Sequence, residues 1–299
     1  MKNKKATLVL GSGGARGWAH IGVIRALREE NIKIESIVGC SMGALVGAAL
    51  ASGKLDVLER TALEMDWRKA FNLFFEFTLP RSGLIDGKKV TETLRGIISS
   101  VNIEDLRIPF TAMSTDMSTG KEVAFSSGDL LEAVRASISI PGIFTPVFRG
   151  DQILVDGGLV APVPVKKAYE AGARRVVAVN INKGLGMTTG GENKEKSPRK
   201  TEETRDAITQ FVNNRMEDMK LEKFTPVKRW LAPRKTPSIL DVVGNSTIII
   251  QQEIAEAQLQ KYPPDLLIEP DLGNMNFMEF HHAQQAIQKG YEKAKSLLN

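Results

Sequence analysis

The pentapeptide Gly39-Cys40-Ser41-Met42-Gly43 constrains the fold more than any other stretch of this chain. It is preceded by residues 34–38, which have the pattern of a short buried strand, and followed by residues 44–51, which have that of a helix. A strand that turns abruptly into a helix leaves no room for side chains beside the turn, and the two flanking glycines meet this demand. The sequence therefore predicts a nucleophile elbow with its serine at the edge of a sheet. The alternative is a tight turn whose small residues serve packing alone.

A glycine cluster, Gly11-Ser12-Gly13-Gly14-Ala15-Arg16-Gly17, lies between a predicted first strand and a predicted helix. It is not a dinucleotide fingerprint, because Arg16 occupies the position of the third glycine, and it lacks the Gly-Lys-Ser/Thr of a phosphate loop. Backbone amides that glycines expose at the start of a helix stabilise negative charge. Since a candidate nucleophile ends the next strand, an oxyanion hole explains this cluster best.

A candidate base lies in Val155-Asp156-Gly157-Gly158, directly after an apolar strand. Asp-Gly is a strong turn signal in any protein, so one interpretation of this aspartate is a turn residue. The other is a free carboxylate at the end of a strand.

Together with residues 136–144, these motifs resemble the patatin-like phospholipase family in its compact bacterial form, over residues 6–182. The resemblance implies a three-layer α/β/α fold with a mostly parallel sheet, and a Ser-Asp dyad without histidine. By the same resemblance Ser41 is the nucleophile and Asp156 its base. The Gly13 and Gly14 amides then form the oxyanion hole, and Arg16 anchors their loop. Ser12 departs from the family pattern, where glycine is usual, and we expect little consequence.

The implied activity is that of a serine acyl hydrolase that cleaves lipid carboxylic esters through an acyl-enzyme. One rival is a Ser-Asp-His esterase of α/β-hydrolase type, in which His281 or His282 completes a triad with Ser41 and Asp156. Against it, only one strand-helix unit precedes the elbow, and the histidine pair falls in a predicted helix. His20 is interpreted as a packing or hydrogen-bonding residue and not as a base. A second rival is a non-catalytic lipid-binding or regulatory protein on the same fold.

The composition limits which other classes of protein this chain can belong to. A chain of 299 residues with 42% hydrophobic content is long enough for a sizeable core, and its single cysteine excludes an internal disulfide framework. We expect no metal and no cofactor, because no metal-binding motif is present. No nucleic-acid partner is expected either. Apolar runs are too short for a signal sequence or a membrane span, so we expect a cytoplasmic protein.

Strands and helices alternate to about residue 182, which predicts a largely parallel sheet covered on both faces. An antiparallel section is expected around residues 111–125. The predicted strands are 7–10, 34–39, 109–115, 121–126, 152–155, 175–181 and 265–270. The predicted helices are 17–30, 43–52, 55–67, 87–99, 128–136, 164–171, 202–223, 239–260 and 276–298. We expect a catalytic core at 6–182, a flexible linker at 183–201 and a mainly helical part at 202–299 packed on the core.

Two segments suggest contact with lipid. Residues 67–77 carry aromatic side chains at helical spacing, which fits a buried stripe or a wall of an acyl pocket. The segment Lys223–Leu240 contains five basic residues and no acidic one, in a chain whose net charge is +5. It also contains Phe224 and Trp230. This combination predicts peripheral contact with an anionic membrane, the alternatives being contact with an acidic protein or nucleic acid, or a solvated loop.

Overall fold

The computed structural model describes residues 5–66, 88–98, 101–183, 239–273 and 275–299. The chain divides into two compact units, one of Met1–Leu185 with Gly244–Asn299 and the other of Gly186–Val243. The sheet and the candidate site belong to the first unit. All or nearly all of four predicted features lie outside the described residues, namely the aromatic stripe at 67–77, the linker at 183–201, the helix at 202–223 and the basic segment Lys223–Leu240.

The described residues form one eight-stranded sheet in the order β5-β6-β3-β2-β1-β7-β8, with β4 paired to β3. The strands are β1 Lys5–Leu10, β2 Lys33–Cys40, β3 Phe110–Asp116, β4 Lys121–Phe125, β5 Val147–Arg149, β6 Gln152–Asp156, β7 Val176–Val179 and β8 Leu266–Ile268. Pairing is parallel from β3 through β2, β1 and β7 to β8, and antiparallel among β3, β4, β5 and β6. The mostly parallel sheet and its antiparallel section are confirmed.

Helices connect most of these strands. Those with described residues are α1 Ala19–Glu29, α2 Met42–Ala51, α3 Leu55–Leu63, α4 Lys88–Ile97, α5 Leu130–Ser137, α6 Val165–Glu170, α7 Ile239–Lys261 and α8 Ala283–Leu298. Short 3-10 turns lie at Gly14–Trp18, Ile103–Asp105, Gly157–Leu159 and Phe280–His282. Within the described ranges, none of the helices combines the length and the apolar character needed to cross a bilayer.

Side chains of the central strands alternate between two apolar layers. Leu8 and Leu10 of β1 pack with residues of α1, α2 and α8, whereas Val9 packs in a separate cluster with residues of α6 and α7. Successive side chains of a strand point to opposite faces, so a strand that is buried on both faces must lie between two layers of helices. This arrangement is the three-layer α/β/α architecture that the resemblance implied.

One strand was missed, and the start of one helix was predicted wrongly. The three-residue strand β5 was not predicted, because it is too short to show a period. The terminal helix begins at Ala283 and not near residue 276, since a 3-10 turn at Phe280–His282 precedes it. In that turn the Trp18 indole N–H donates to the Phe280 carbonyl at 3.1 Å, which holds the turn against the loop after β1. His281 and His282 therefore lie in this turn and not within the long helix.

Candidate active site

The candidate site lies where β2 and β6 meet end to end along β3. Ala112 pairs with both β2 and β4, and Ser114 pairs with both β4 and β6, so β2 and β6 occupy the same edge of β3. The ladder of β2 ends with Cys40 opposite Met113, and that of β6 ends with Asp156 opposite Ser114. The two strands approach from opposite directions. Their last residues are consequently brought together at one level of the sheet.

Ser41 occupies a strained backbone position at the start of α2. Its φ is 54° and its ψ is −123°, a conformation that is costly for a residue with a Cβ atom. A Cβ atom on Gly43 would lie 2.2 Å from the Leu10 carbonyl oxygen, and one on Gly39 would lie 2.5 Å from the Gly43 carbonyl oxygen. Both glycines are therefore required by close backbone contact. This geometry is that of the predicted elbow.

The strained turn is held by a serine that sequence reasoning did not assign. The Ser41 backbone N–H donates to Ser137 Oγ at 2.9 Å, and Ser137 Oγ donates to the Met113 carbonyl oxygen at 2.5 Å. Ser139 and Thr115 hold the end of β6 in a similar way. The Asp156 N–H donates to the Ser139 carbonyl at 2.8 Å, and Thr115 Oγ1 donates to the Asp156 carbonyl at 2.9 Å. Both Ser137 and Ser139 lie in the segment 136–144, which contributes to the family resemblance but predicts no role for either serine.

Ser41 and Asp156 are joined directly. Ser41 Oγ donates to Asp156 Oδ2 at 2.5 Å, and the Gly158 N–H donates to Asp156 Oδ1 at 2.7 Å. The Asp156 side chain is buried, with 1% of the residue exposed. Burial raises the pKa of Asp156 from 3.8 to about 6, against the opposing effect of the two hydrogen bonds. At neutral pH the carboxylate is ionised, yet it is a stronger base than an ordinary aspartate.

The raised pKa has a consequence for stability. The folded protein binds the Asp156 proton more tightly than the unfolded chain does, so ionisation of this group destabilises the fold above pH 6 and has no effect below pH 3.8. A shift of roughly two pH units corresponds to about 3 kcal/mol. Replacing Asp156 with asparagine is therefore expected to increase the free energy of unfolding at pH 8 by up to that amount. Urea unfolding at pH 8 and at pH 3.5 measures the difference, and an equal effect at both pH values would exclude the charge as its cause.

The glycine cluster presents two unpaired amides. Gly14 has a φ of +55°, and a Cβ atom there would lie 2.5 Å from the Phe277 carbonyl oxygen, so glycine is required. The Gly13 and Gly14 N–H groups have no acceptor among the described residues, whereas the next amide, that of Ala15, donates to the Phe277 carbonyl at 2.8 Å. Gly14 lines the same pocket as Ser41. Two free donors thus lie in the loop that borders the serine.

Arg16 holds the glycine loop to the rest of the fold. Its Nε donates to the Ile181 carbonyl at 2.8 Å, and its terminal nitrogen donates to the carbonyls of Gly273 at 3.3 Å and Met275 at 3.1 Å. Burial lowers the pKa of Arg16 to about 10, with Asp271 opposing the shift, so the guanidinium remains charged at neutral pH. A cation that donates to three carbonyls from two distant segments fits the anchoring role given to it by resemblance.

An apolar pocket opens beside Ser41. Most of its walls come from α2, α3, α4 and the segment after α5, and they offer few polar groups. The lining residues are Gly14, Trp18, Ser41, Met42, Leu45, Leu58, Thr61, Met65, Thr93, Leu94, Ile97, Ile138, Ile140, Phe144 and Phe280. A hydrocarbon chain is the ligand that such a surface favours.

None of the three histidines bonds to Ser41 or Asp156. His20 is fully buried, and its Nε2 lies 2.8 Å from the Gly11 carbonyl oxygen, while burial lowers its pKa to about 4. It is therefore neutral and packed under the glycine loop. His282 lines a different surface pocket, beside Asp271 and Lys289. In the part of the chain that the structure describes, no group of three His, Cys, Asp or Glu residues is arranged to hold a metal ion.

Comparisons with known proteins agree with the resemblance found in the sequence motifs. A family model described as Patatin-like phospholipase matches residues 8–169. An uncharacterized NTE family protein of Mycobacterium tuberculosis is 31% identical over 333 residues, covering 98% of this chain and 91% of that protein. The neuropathy target esterase sws of Drosophila melanogaster is 32% identical over 180 residues, covering 58% of this chain and 13% of that protein. A patatin-like phospholipase domain-containing protein of Caenorhabditis elegans is 37% identical over 183 residues, with the same two coverages of 58% and 13%.

Proposed function

The chain belongs to the patatin-like phospholipase family, and from that premise we propose that it is a serine acyl hydrolase with a Ser41–Asp156 dyad. Membership supports hydrolysis of lipid esters in general. The finer proposal rests on one observation, the 2.5 Å hydrogen bond from Ser41 Oγ to the buried Asp156 carboxylate. A nucleophile within hydrogen-bonding reach of a base is the arrangement that covalent catalysis requires.

In the proposed reaction Asp156 Oδ2 accepts the hydroxyl proton as Ser41 Oγ attacks the ester carbonyl carbon. The negative charge that develops on the carbonyl oxygen is stabilised by the Gly13 and Gly14 amides and by the N-terminus of α2. Asp156 then gives its proton to the alcohol that leaves, and an acyl-Ser41 ester remains. A water molecule, deprotonated by Asp156, attacks that ester, and the returning proton restores the serine hydroxyl as the acid departs.

The apolar pocket beside Ser41 supports a substrate with a hydrocarbon acyl chain. The described residues of its lining include Leu45, Leu58, Leu94 and Phe144 and contain no charged side chain. Burying each methylene of an acyl chain against such a surface contributes about 0.8 kcal/mol. We therefore propose that the acyl part of the lipid binds here, and that the alcohol part leaves on the side open to solvent.

The test of this function is labelling with a fluorophosphonate, followed by mapping of the modified residue by mass spectrometry. We expect modification at Ser41, with a rate that falls about tenfold for each pH unit below pH 6, because the probe reacts only when Asp156 is ionised. The Asp156→Asn variant should label far more slowly at every pH. A wild-type protein that remains unlabelled would instead support the non-catalytic rival.

The oxyanion hole is tested by Gly14→Ala. Alanine disfavours a φ of +55°, and its Cβ atom would lie 2.5 Å from the Phe277 carbonyl oxygen, so the loop must move. Loss of one such donor typically lowers kcat by about 10²–10³-fold, and we expect that range here. Gly53→Ala is a matched control, because Gly53 also has a positive φ, +73°, but faces open space. Equal kcat values for the two variants on a soluble ester would remove this loop from the mechanism.

Peripheral membrane contact through Lys223–Leu240 is part of the proposal, supported by sequence alone. Each basic residue near an anionic surface contributes roughly 1 kcal/mol. Replacing Lys228, Arg229, Arg234 and Lys235 with glutamine should reduce co-sedimentation with anionic vesicles and leave hydrolysis of a soluble ester unchanged. Co-sedimentation that does not respond to these substitutions would contradict the contact. The domain division at residues 182 and 201 and the cytoplasmic location also stay predictions.

A further inference from the structure

Gln251 on α7 connects loops that border the site. Its side chain is buried, with 6% of the residue exposed. The carboxamide oxygen, Oε1, accepts a hydrogen bond from Ser12 Oγ at 2.8 Å and another from Asn182 Nδ2 at 3.3 Å. These partners are 239 and 69 residues away in sequence, one in the glycine cluster and the other after β7. One amide group thus joins three separate parts of the chain.

The Gln251 side chain lies close to two parts of the proposed site, the glycine loop and the loop after Asp156. Ser12 directly precedes Gly13, and a Cβ atom on Gly13 would lie 2.7 Å from Asn182 Oδ1. On the other side, a Cβ atom on Gly158 would lie 2.4 Å from Gln251 Nε2 and 2.9 Å from Asp156 Oδ1. The same Gly158 donates its N–H to that Asp156 oxygen. The Gln251 amide therefore lies between the loop of the proposed oxyanion hole and the loop that orients the proposed base.

Stability alone does not explain the buried polar contact between Gln251 and Asn182. Asn182 is 2% exposed, and its Oδ1 has no hydrogen-bond partner among the described residues. A buried polar atom without a partner costs free energy, and replacing such a polar contact by an apolar one of the same shape can be neutral or stabilising. Polar groups retained at such a cost are concentrated where a defined geometry is needed.

We propose that Gln251 is a positioning residue that fixes the glycine loop relative to the Asp156 loop. The role rests on the proposed function, because it concerns the geometry of that dyad. An amide suits it because it accepts hydrogen bonds at one end and has donors at the other, and because it is neutral. A carboxylate of the same length would place a second negative charge near Asp156 and raise the pKa of that base. Ser12, where glycine is usual in the family, supplies the hydroxyl that reaches Gln251.

The experiment compares Gln251→Met, Gln251→Glu and Ser12→Gly by kcat, KM and melting temperature on a soluble short-chain ester. Methionine keeps the volume of glutamine and removes its hydrogen bonds. We expect Gln251→Met to lower kcat by about 10–100-fold with KM changed less than about twofold, a split typical of lost transition-state geometry. Ser12→Gly should cause a smaller loss, and the two changes together should lower kcat by less than the product of their separate effects, because both remove the same hydrogen bond.

The pH profile separates positioning from a purely structural role. Gln251→Glu is expected to move the acid limb of kcat/KM upward by about one pH unit, since it adds a carboxylate beside Asp156. Gln258→Met is the matched control, because Gln258 lies on the same helix and its Nε2 donates to the Val160 carbonyl at 2.7 Å. Loss of that bond should lower the melting temperature and leave kcat within about twofold.

The outcomes distinguish failure of the role proposed for Gln251 from failure of the proposed function. If wild type labels at Ser41 but Gln251→Met and Ser12→Gly both keep kcat within twofold, Gln251 has no positioning role. If Gln258→Met lowers kcat as much as Gln251→Met does, the effect belongs to anchoring of α7 and the proposal is likewise wrong. A wild-type protein that neither labels nor hydrolyses the ester overturns the proposed function, and this inference with it. Ser12→Gly keeps the inference testable if Gln251→Met does not fold.

Discussion

Replacing Ser41 with alanine is expected to lower kcat on a soluble p-nitrophenyl ester by roughly 10⁴-fold or more, because removal of the nucleophile leaves only binding and oxyanion stabilisation. Asp156→Asn should cause a loss of similar size, since Ser41 Oγ donates to that carboxylate and to no other base among the described residues. Both variants should keep the circular dichroism spectrum of wild type. The double variant Ser41→Ala with Asp156→Asn should be no worse than either alone, because the two residues act as a unit.

The matched control is His281→Ala with His282→Ala. These side chains lie in the turn before α8, and His282 lines a pocket that does not contain Ser41. Their removal should leave kcat within a few-fold of wild type. A large loss with an unchanged circular dichroism spectrum would establish the Ser-Asp-His triad in place of the dyad.

Replacing Gly43 with valine is expected to prevent stable folding. A Cβ atom at this position would lie 2.2 Å from the Leu10 carbonyl oxygen and 2.6 Å from that of Gly11, and backbone atoms of a central strand cannot move aside. The free energy of unfolding should fall by about 4 kcal/mol or more, at the upper end of the range for single substitutions. Urea unfolding followed by circular dichroism measures this loss.

Gly96→Ala provides the comparison for Gly43→Val. Gly96 lies in α4, and no heavy atom lies within 4 Å of the position of its added Cβ atom. Alanine should therefore stabilise the helix by about 1 kcal/mol relative to glycine. If Gly43→Val unfolds at the urea concentration of wild type, the close approach of the elbow to β1 is not required for folding.

Much of the fold could be predicted because its signals are local. Each central strand is a short apolar run, and the elbow has glycines where its backbone requires them. The strand β5 escaped prediction because three residues carry no period. The start of α8 was misplaced because the turn before it depends on a long-range bond from Trp18 to Phe280, 262 residues apart. Such a bond leaves no trace in the sequence around either residue.

The candidate site likewise contains some residues that could be predicted from the sequence and others that could not. Ser41, Asp156 and the glycine loop each belong to a recognisable motif, and the structure brings Ser41 and Asp156 into direct contact. Ser137 and Gln251 could not be placed near the site from the sequence, because their hydrogen-bond partners lie 96 and 239 residues away. For Asp156 the sequence indicated either a turn residue or a free carboxylate at the end of a strand. Asp156 does end a strand, but that strand runs antiparallel to β3, which alternation of strands and helices does not reveal.

Because β2 and β6 meet on one edge of β3, the spacing of Ser41 and Asp156 and the shape of the apolar pocket depend on different elements. The spacing of Ser41 and Asp156 depends on which residues of β3 their strands face, Met113 and Ser114. The walls of the apolar pocket come largely from α3, α4 and the segment after α5, and these elements do not set that alignment. Substitutions in these helices can therefore change the shape of the pocket while the spacing of Ser41 and Asp156 stays the same.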